Sequence, residues 1–300
     1  MTGQAWFFMI QFPNTTQVKY PTNSELQLQK TSQQSQSILV TSGKGGVGKT
    51  MIVANLAISM ARRGFHTCVV DADIGLRNLD IALGLENDVV YDMNHVIEKR
   101  CNLLQALVKD SRMDNLYLLS SSQTKDTSSV LPSDLQNIIS SLKLHFDYIF
   151  IDCPAGIEQG FLTAMSASDK YILVTTPDVS SIRDADRVIQ ILEEHQRSEP
   201  YLIINRYRNE MVKRKLMLAH REIVEILGIP FIGMVPESED ILSSGNSGIP
   251  VAFETRRSIT QYFDNITRRM NGEEVPFAEN HTLIQKFLQI VGIRQQRTAL

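Results

Sequence analysis

Residues 38–62 read ILVTSGKGGVGKTMIVANLAISMAR, and the fold turns on them. Ile38–Thr41 is a short β-branched run, the pattern of a strand. Gly43-Lys44-Gly45-Gly46-Val47-Gly48-Lys49-Thr50 matches GxxxxGK[ST]. A helical pattern opens directly behind it, which is the context that motif needs. Its glycines let backbone N–H groups curl around phosphate oxygens, where a Cβ would crowd the turn. Lys49 is expected to reach the terminal phosphates and Thr50 to offer its hydroxyl to Mg²⁺. The helix N-terminus adds its partial positive charge. Lys44 is a second cation that the loop does not need for its own nucleotide. One physical use for it is to reach a phosphate held by another subunit, as an arginine finger does in trans.

Outward from this loop, short apolar runs alternate with helical patterns. Strands are expected at Thr67–Asp71, Leu116–Leu119, Tyr148–Asp152, Tyr171–Thr175, Tyr201–Ile204 and Phe231–Val235, and helices near 49–62, 134–144, 180–194 and 220–227. Most of the strands are continuously apolar, the mark of strands buried on both faces of a mostly parallel sheet. The alternation therefore predicts one doubly wound α/β domain over 38–272 with right-handed crossovers. Three carboxylates fall at strand ends: Asp71, Asp73 and Asp152. Asp152 faces the loop as a metal-side acid, and Pro154-Ala155-Gly156 behind it lets the backbone approach a γ-phosphate. Together the acids can hold Mg²⁺, partly through water, and orient an attacking water.

Composition narrows the class. Apolar residues are 43% and charged residues 21%, ordinary for a globular chain with a full core. The net charge of −3 argues against a surface that is wholly a nucleic-acid glove. Cys68, Cys101 and Cys153 are scattered without a CxxC, which favours a reducing compartment over a disulfide framework. The six His lie dispersed without metal-ligand spacing. No apolar run approaches ~18 residues, so no span is expected.

Several stretches resemble the deviant-Walker P-loop ATPases, and within them the MinD branch of bacterial and plastid division-site proteins. They are Ser42–Thr50 (SGKGGVGKT), Asp71–Asp80 (DADIGLRNLD), Gly84–Tyr91 (GLENDVVY), Gln105–Asp110 (QALVKD), Asp152–Glu158 (DCPAGIE), Ser180–Val188 (SSIRDADRV), Leu227–Pro236 and Gly272–Phe277 (GEEVPF). The resemblance implies a slow ATPase that works as a switch. ATP drives a homodimer in which Lys44 touches the partner's phosphates. The dimer binds the inner face of the cell membrane, or works in the plastid stroma, recruits a MinC-like inhibitor and is discharged by a MinE-like activator. Carried over residue by residue, Gly43 to Thr50 hold the phosphates, and Thr50, Asp71 and Asp152 serve Mg²⁺. Lys44, Lys49, Asp73 and Asp152 carry the chemistry, with Asp73 orienting water. Asp184 lies near the dimer face, and Asn205 contacts adenine. Met51 stands where the family usually has a second Thr or Ser, which removes one hydroxyl from the α-phosphate. ParA-type DNA partition would need a basic surface, and Arg206, Arg208, Lys213, Arg214 and Lys215 form such a cluster. A flagellar-number regulator of the FlhG type is the other competing reading.

The two ends differ from this body. Residues 1–37 hold eight Gln and nine Ser or Thr and are expected to be a passive disordered extension, so that cutting at residue 36 removes no strand. Residues 273–300 are expected to be an acidic linker and an amphipathic helix. In TLIQKFLQIVG (282–292), Leu283, Ile284, Phe287, Leu288, Ile290 and Val291 share one face, and Gln285, Lys286 and Gln289 the other. Such a helix is too short to span a bilayer but suits the headgroup region of an anionic membrane.

Overall fold

The structure is a computed structural model that describes residues 35–122 and 130–277. Its strands are β1 (Gln36–Thr41), β2 (Thr67–Asp71), β3 (Leu107–Lys109), β4 (Leu116–Leu119), β5 (Tyr148–Asp152), β6 (Lys170–Thr175), β7 (Tyr201–Tyr207) and β8 (Phe231–Pro236). They form one sheet in the order β3-β4-β2-β5-β1-β6-β7-β8. All neighbouring pairs run parallel except β3 with β4. The doubly wound sheet expected from the alternation is the fold observed.

Each central strand feeds two cores. In β1 and β5, Leu39, Ile149 and Ile151 pack on one face, while Ile38, Val40 and Phe150 pack on the other. That is why these strands read as unbroken apolar runs rather than as alternation. The first core lies under α5 (Pro132–Leu142), α6 (Gln159–Ser166), α7 (Val179–Glu194) and α9 (His220–Leu227). The second lies under α1 (Lys49–Arg62) and α11 (Thr260–Met270). Eleven of the fourteen residues of α1 are buried, because α1 is wedged between the sheet, α2 (Leu79–Leu83) and α11. Inside it Asn55 donates to the Met51 carbonyl at 2.8 Å and accepts from the Ala252 N–H at 2.9 Å. This buried amide ties the chain before α11 to the helix behind the phosphate loop.

Several expectations need correction. β1 begins at Gln36, before the expected Ile38, because Gln36 and Ser37 extend the ladder opposite Tyr148 and Ile149. Ser35 donates to the Phe146 carbonyl at 2.7 Å, and the Ser37 hydroxyl donates to Asp169 at 2.9 Å. Polar residues thus serve as strand here through side-chain bonds, and a cut at residue 36 would remove paired backbone. Residues 1–34 lie outside the described residues. The short elements β3, α2, α3 (Met93–Ile97), α4 (Leu103–Ala106) and α8 (Asn209–Lys213) and the longer α6, α10 (Glu239–Ser247) and α11 were not expected.

The acidic linker is docked through its described part. Glu273 pairs with Arg63 and with Arg268. Arg269 donates to the carbonyls of Ile232, Val275 and Pro276, each at 2.9 Å. Its guanidinium lies 3.9 Å from the centre of the Phe277 ring, which stacks on Phe231 at 4.8 Å. Arg269 and Phe277 therefore cover the Phe231 end of the edge strand β8, whose unpaired groups would otherwise be open. The expected amphipathic helix lies outside the described residues.

Candidate functional site

The sheet brings the loop and the acids to one edge. β1 is flanked by β5 and β6, and the chain leaves it through α1 toward β2 on one side while β5 connects to β6 on the other. Ligands in open α/β sheets sit at this kind of switch point, outside the carboxyl ends of the strands. Asp71 and Asp152 are direct partners across β2 and β5, although 81 positions separate them in the sequence.

The loop's backbone has little freedom. Gly48 caps α1 in the left-handed region at φ 95°, and a Cβ there would meet the Asn205 amide nitrogen at 2.4 Å. A Cβ on Gly43 would lie 2.1 Å from the Asp184 carbonyl oxygen, so the loop rests on the backbone of α7. Asp184 is thus beside the loop. Gly156 donates to the Ser42 carbonyl at 3.1 Å, which joins the Pro154-Ala155-Gly156 turn to the same loop.

The two loop lysines face different ways. Lys49 is buried, and its ammonium lies close enough to Asp73 and Asp152 to favour their ionisation. Lys44 is exposed and donates to the Ser180 hydroxyl at 3.0 Å, which in turn donates to Asp178 at 3.0 Å. Burial opposes ionisation of Asp178, but bonds from Thr176, Ser180 and Ser181 hold its carboxyl well below the usual range. This Asp178–Ser180 rest for Lys44 has no sequence motif; an Asp preceding a helical run is its one signal, as an N-cap.

The carboxylates divide the work. Asp71 accepts the Asp73 N–H at 2.9 Å on one oxygen and the Leu79 N–H at 3.2 Å on the other. It ties down the DADIGLRNLD loop, which Arg77 and Asp80 fasten again by an ion pair. Asp152 has one oxygen, Oδ1, that is buried without a hydrogen-bond partner among the described residues, while Thr50 bonds to the same carboxylate. Burial, then the neighbouring Asp152 charge, pushes Asp71 up to about 7. Burial also pushes Asp152 up to about 6, against the pull of Thr50 and Lys49, and it raises Asp73. An unpartnered carboxylate oxygen, a hydroxyl and a surplus of buried acid fit a hard cation such as Mg²⁺. Asp152 with Thr50 is the better-placed pair for it, and Asp71 the tie that shapes the loop.

A pH prediction follows for the protein free of metal and nucleotide. Asp71 and Asp152 bind protons more tightly folded than unfolded, so stability must fall as pH rises through their folded values. Between about pH 5 and 8 the two shifts are worth on the order of a few kcal/mol. The urea midpoint should fall over that range, and Asp152→Asn should flatten the slope. A midpoint that rises equally in both proteins would contradict this.

Beside the loop lies a cavity of about 340 Å³ walled by Gly48, Met51, Ile81, Asn205, Ile241 and Leu242, among others. It is large enough and apolar enough for a base. Asn205 gives its amide N–H to the Val47 carbonyl at 2.7 Å. That fixes the flip and leaves the amide oxygen as an acceptor. Met51 belongs to this wall, so its thioether adds apolar contact where a hydroxyl is missing. The wall from α10 and the end of β8 escaped sequence reasoning, although β8 ends at the same carboxyl edge as the loop.

The comparisons agree with this geometry. Residues 38–251 match the CobQ/CobB/MinD/ParA nucleotide binding domain. The septum site-determining protein MinD of Bacillus subtilis is 44% identical over 265 residues, covering 86% of this chain and 99% of its own. That of Thermotoga maritima is 46% identical over 253 residues, covering 84% and 93%. A MinC:MinD cell division protein complex from Aquifex aeolicus superposes with a TM-score of 0.77 at 41% identity, covering 82% of this chain and 99% of that one. MinD of Pyrococcus horikoshii, complexed with Mg-ADP, superposes at 0.72 with 28% identity, covering 79% and 96%. With a phosphate loop, an acid edge built for Mg²⁺ and a base-sized cavity in one place, this chain belongs to the CobQ/CobB/MinD/ParA nucleotide-binding family, as an ATPase of its septum site-determining MinD branch.

Proposed function

We propose that this ATPase is a dimerising membrane switch that helps to place the division site. The observation that carries the reading is the divergence of the two loop lysines. Lys49 is turned inward to its own carboxylates, and Lys44 stands exposed at the rim, held by one hydroxyl. An inward lysine serves the chain's own ATP. An outward one is placed to serve phosphates on a second copy.

Within one site, Lys49 and the loop N–H groups neutralise the terminal phosphates, and Asn205 accepts from the exocyclic amine of adenine. Thr50 and Asp152 would hold Mg²⁺, which when bound spreads the charge that develops on the phosphates. Asp73, half-buried at the same edge, orients the attacking water; that water bonds to the γ-phosphorus as the bond to the ADP oxygen breaks. Turnover is slow until a partner acts, because a switch has to persist. The MinC:MinD relative supports a MinC-like inhibitor as one partner; a MinE-like activator completes the cycle. No described helix is long and apolar enough to cross a membrane. In this reading attachment is peripheral, through Leu283, Ile284, Phe287, Leu288 and Val291 of the C-terminal segment, the apolar face of the sequence pattern. A single short helix binds weakly, and dimerisation makes the second contact intramolecular, so lipid affinity follows ATP.

The test is sedimentation of the full chain with anionic vesicles in ATP, in ADP and without nucleotide. The parent should pellet with ATP, while Phe287→Glu and a chain ending at Phe277 should remain in solution. Equal pelleting of all three proteins would remove the C-terminal anchor.

A further inference from the structure

The outer margin of the sheet is β8, and both of its ends carry exposed chain of unusual chemistry. At the Phe231 end the Arg269–Phe277 clasp holds the point from which the C-terminal segment departs. At the Pro236 end lie the last two residues of β7 and the loop that follows them, taken together as the loop 206–217. Residues 206–215 hold five cations, Arg206, Arg208, Lys213, Arg214 and Lys215, against one acid, Glu210, in a chain of net charge −3. Arg208 is paired with Glu237. No ion pair engages the other four among the described residues. The helix in this loop, α8, buries none of its residues. Lys215 turns the chain with a positive φ of 56°, and Leu216 behind it is 60% exposed. A six-residue strand is about 20 Å long, so this stretch and the departure point of the C-terminal segment lie about that far apart along one margin of the sheet.

We infer that the loop 206–217 is a second contact with an anionic lipid surface, on the β8 margin from which the C-terminal segment also departs. The inference rests on the membrane reading proposed above and adds a separate, electrostatic site to it. Unpaired cations held within a Debye length of an anionic surface each strengthen binding about fivefold. Leu216, with the half-buried Met211 and Met217 around it, puts apolar material among the cations, as the boundary between headgroups and acyl chains favours. A single nucleic-acid strand would also look for a stacking ring, and the one aromatic residue of this stretch, Tyr207, is buried; duplex DNA needs only the cations and is separated from lipid by the experiment below. The cationic loop gives a preference for anionic lipid and a salt dependence that a purely apolar anchor lacks.

The experiment uses the full chain with ATP and vesicles of phosphatidylcholine, either pure or doped with phosphatidylglycerol. Lys213→Glu with Lys215→Glu should weaken binding to the doped vesicles at least about tenfold and reduce its salt dependence. ATP turnover without lipid should not change, and Lys213→Arg with Lys215→Arg should bind as the parent does. If the Glu variant pellets like the parent, the loop is no lipid contact, while the ATP-dependent anchor stands. If the parent pellets with no vesicle in ATP, the membrane reading and this inference fall together. If the Glu variant keeps lipid but loses binding to short duplex DNA, the loop is a nucleic-acid face and the inference is overturned.

Discussion

Lys49→Ala is expected to lose roughly 10²–10³-fold in ATP affinity, the cost of removing one partner of a desolvated charge pair. The ammonium is buried in the first turn of α1 and faces Asp73 and Asp152, where it favours their ionised forms. The loss therefore has a second part. Without Lys49 the buried carboxylates keep no neighbouring cation among the described residues, so the metal-free protein should also unfold at lower urea near neutral pH. A fluorescent ATP analogue measures the first effect and a urea titration the second. Affinity within about threefold of the parent would show that Lys49 does not hold the phosphates.

Lys44→Ala should separate the two lysines. Its ammonium rests on the Ser180 hydroxyl and not on the carboxylate edge, so ATP affinity should change by less than about threefold. Association of two ATP-bound copies should weaken by at least about tenfold, since each copy loses a charge-assisted contact to the other's phosphates. Equilibrium sedimentation in ATP reads this directly. A parent-like dimer would eliminate the contact across the interface.

Much of the site was legible because its chemistry is local. Gly43 to Thr50 is a contiguous motif with its strand and helix, and Asp71 and Asp152 each close a strand that reads plainly as apolar. Their shared edge followed from the parallel sheet, and the register places them side by side. What escaped depends on pairings far apart in sequence. The Asp178–Ser180 rest for Lys44 spans 136 positions, and the bond from Asn205 to Val47 spans 158.

The missed elements have physical reasons of their own. β3 is three residues long, too short for periodicity. In α10, SSGNS dilutes the apolar spacing, yet that helix walls the base cavity. In α11 Phe263 and Ile266 mark a buried face, but Thr260 and Thr267 complete it, and polar residues in a core stripe hide it. Gln36 and Ser37 looked like tail because their pairing depends on Asp169 and Tyr148, which the sequence does not place nearby.

The most direct test of the account is the molar mass of the full chain in Mg-ATP and in Mg-ADP, measured by light scattering with Asp73→Ala to slow turnover. A monomer weighs 33.9 kDa. The switch requires about twice that mass in ATP, and the monomer mass in ADP. The same mass in both nucleotides, whether single or double, would contradict a dimer gated by ATP.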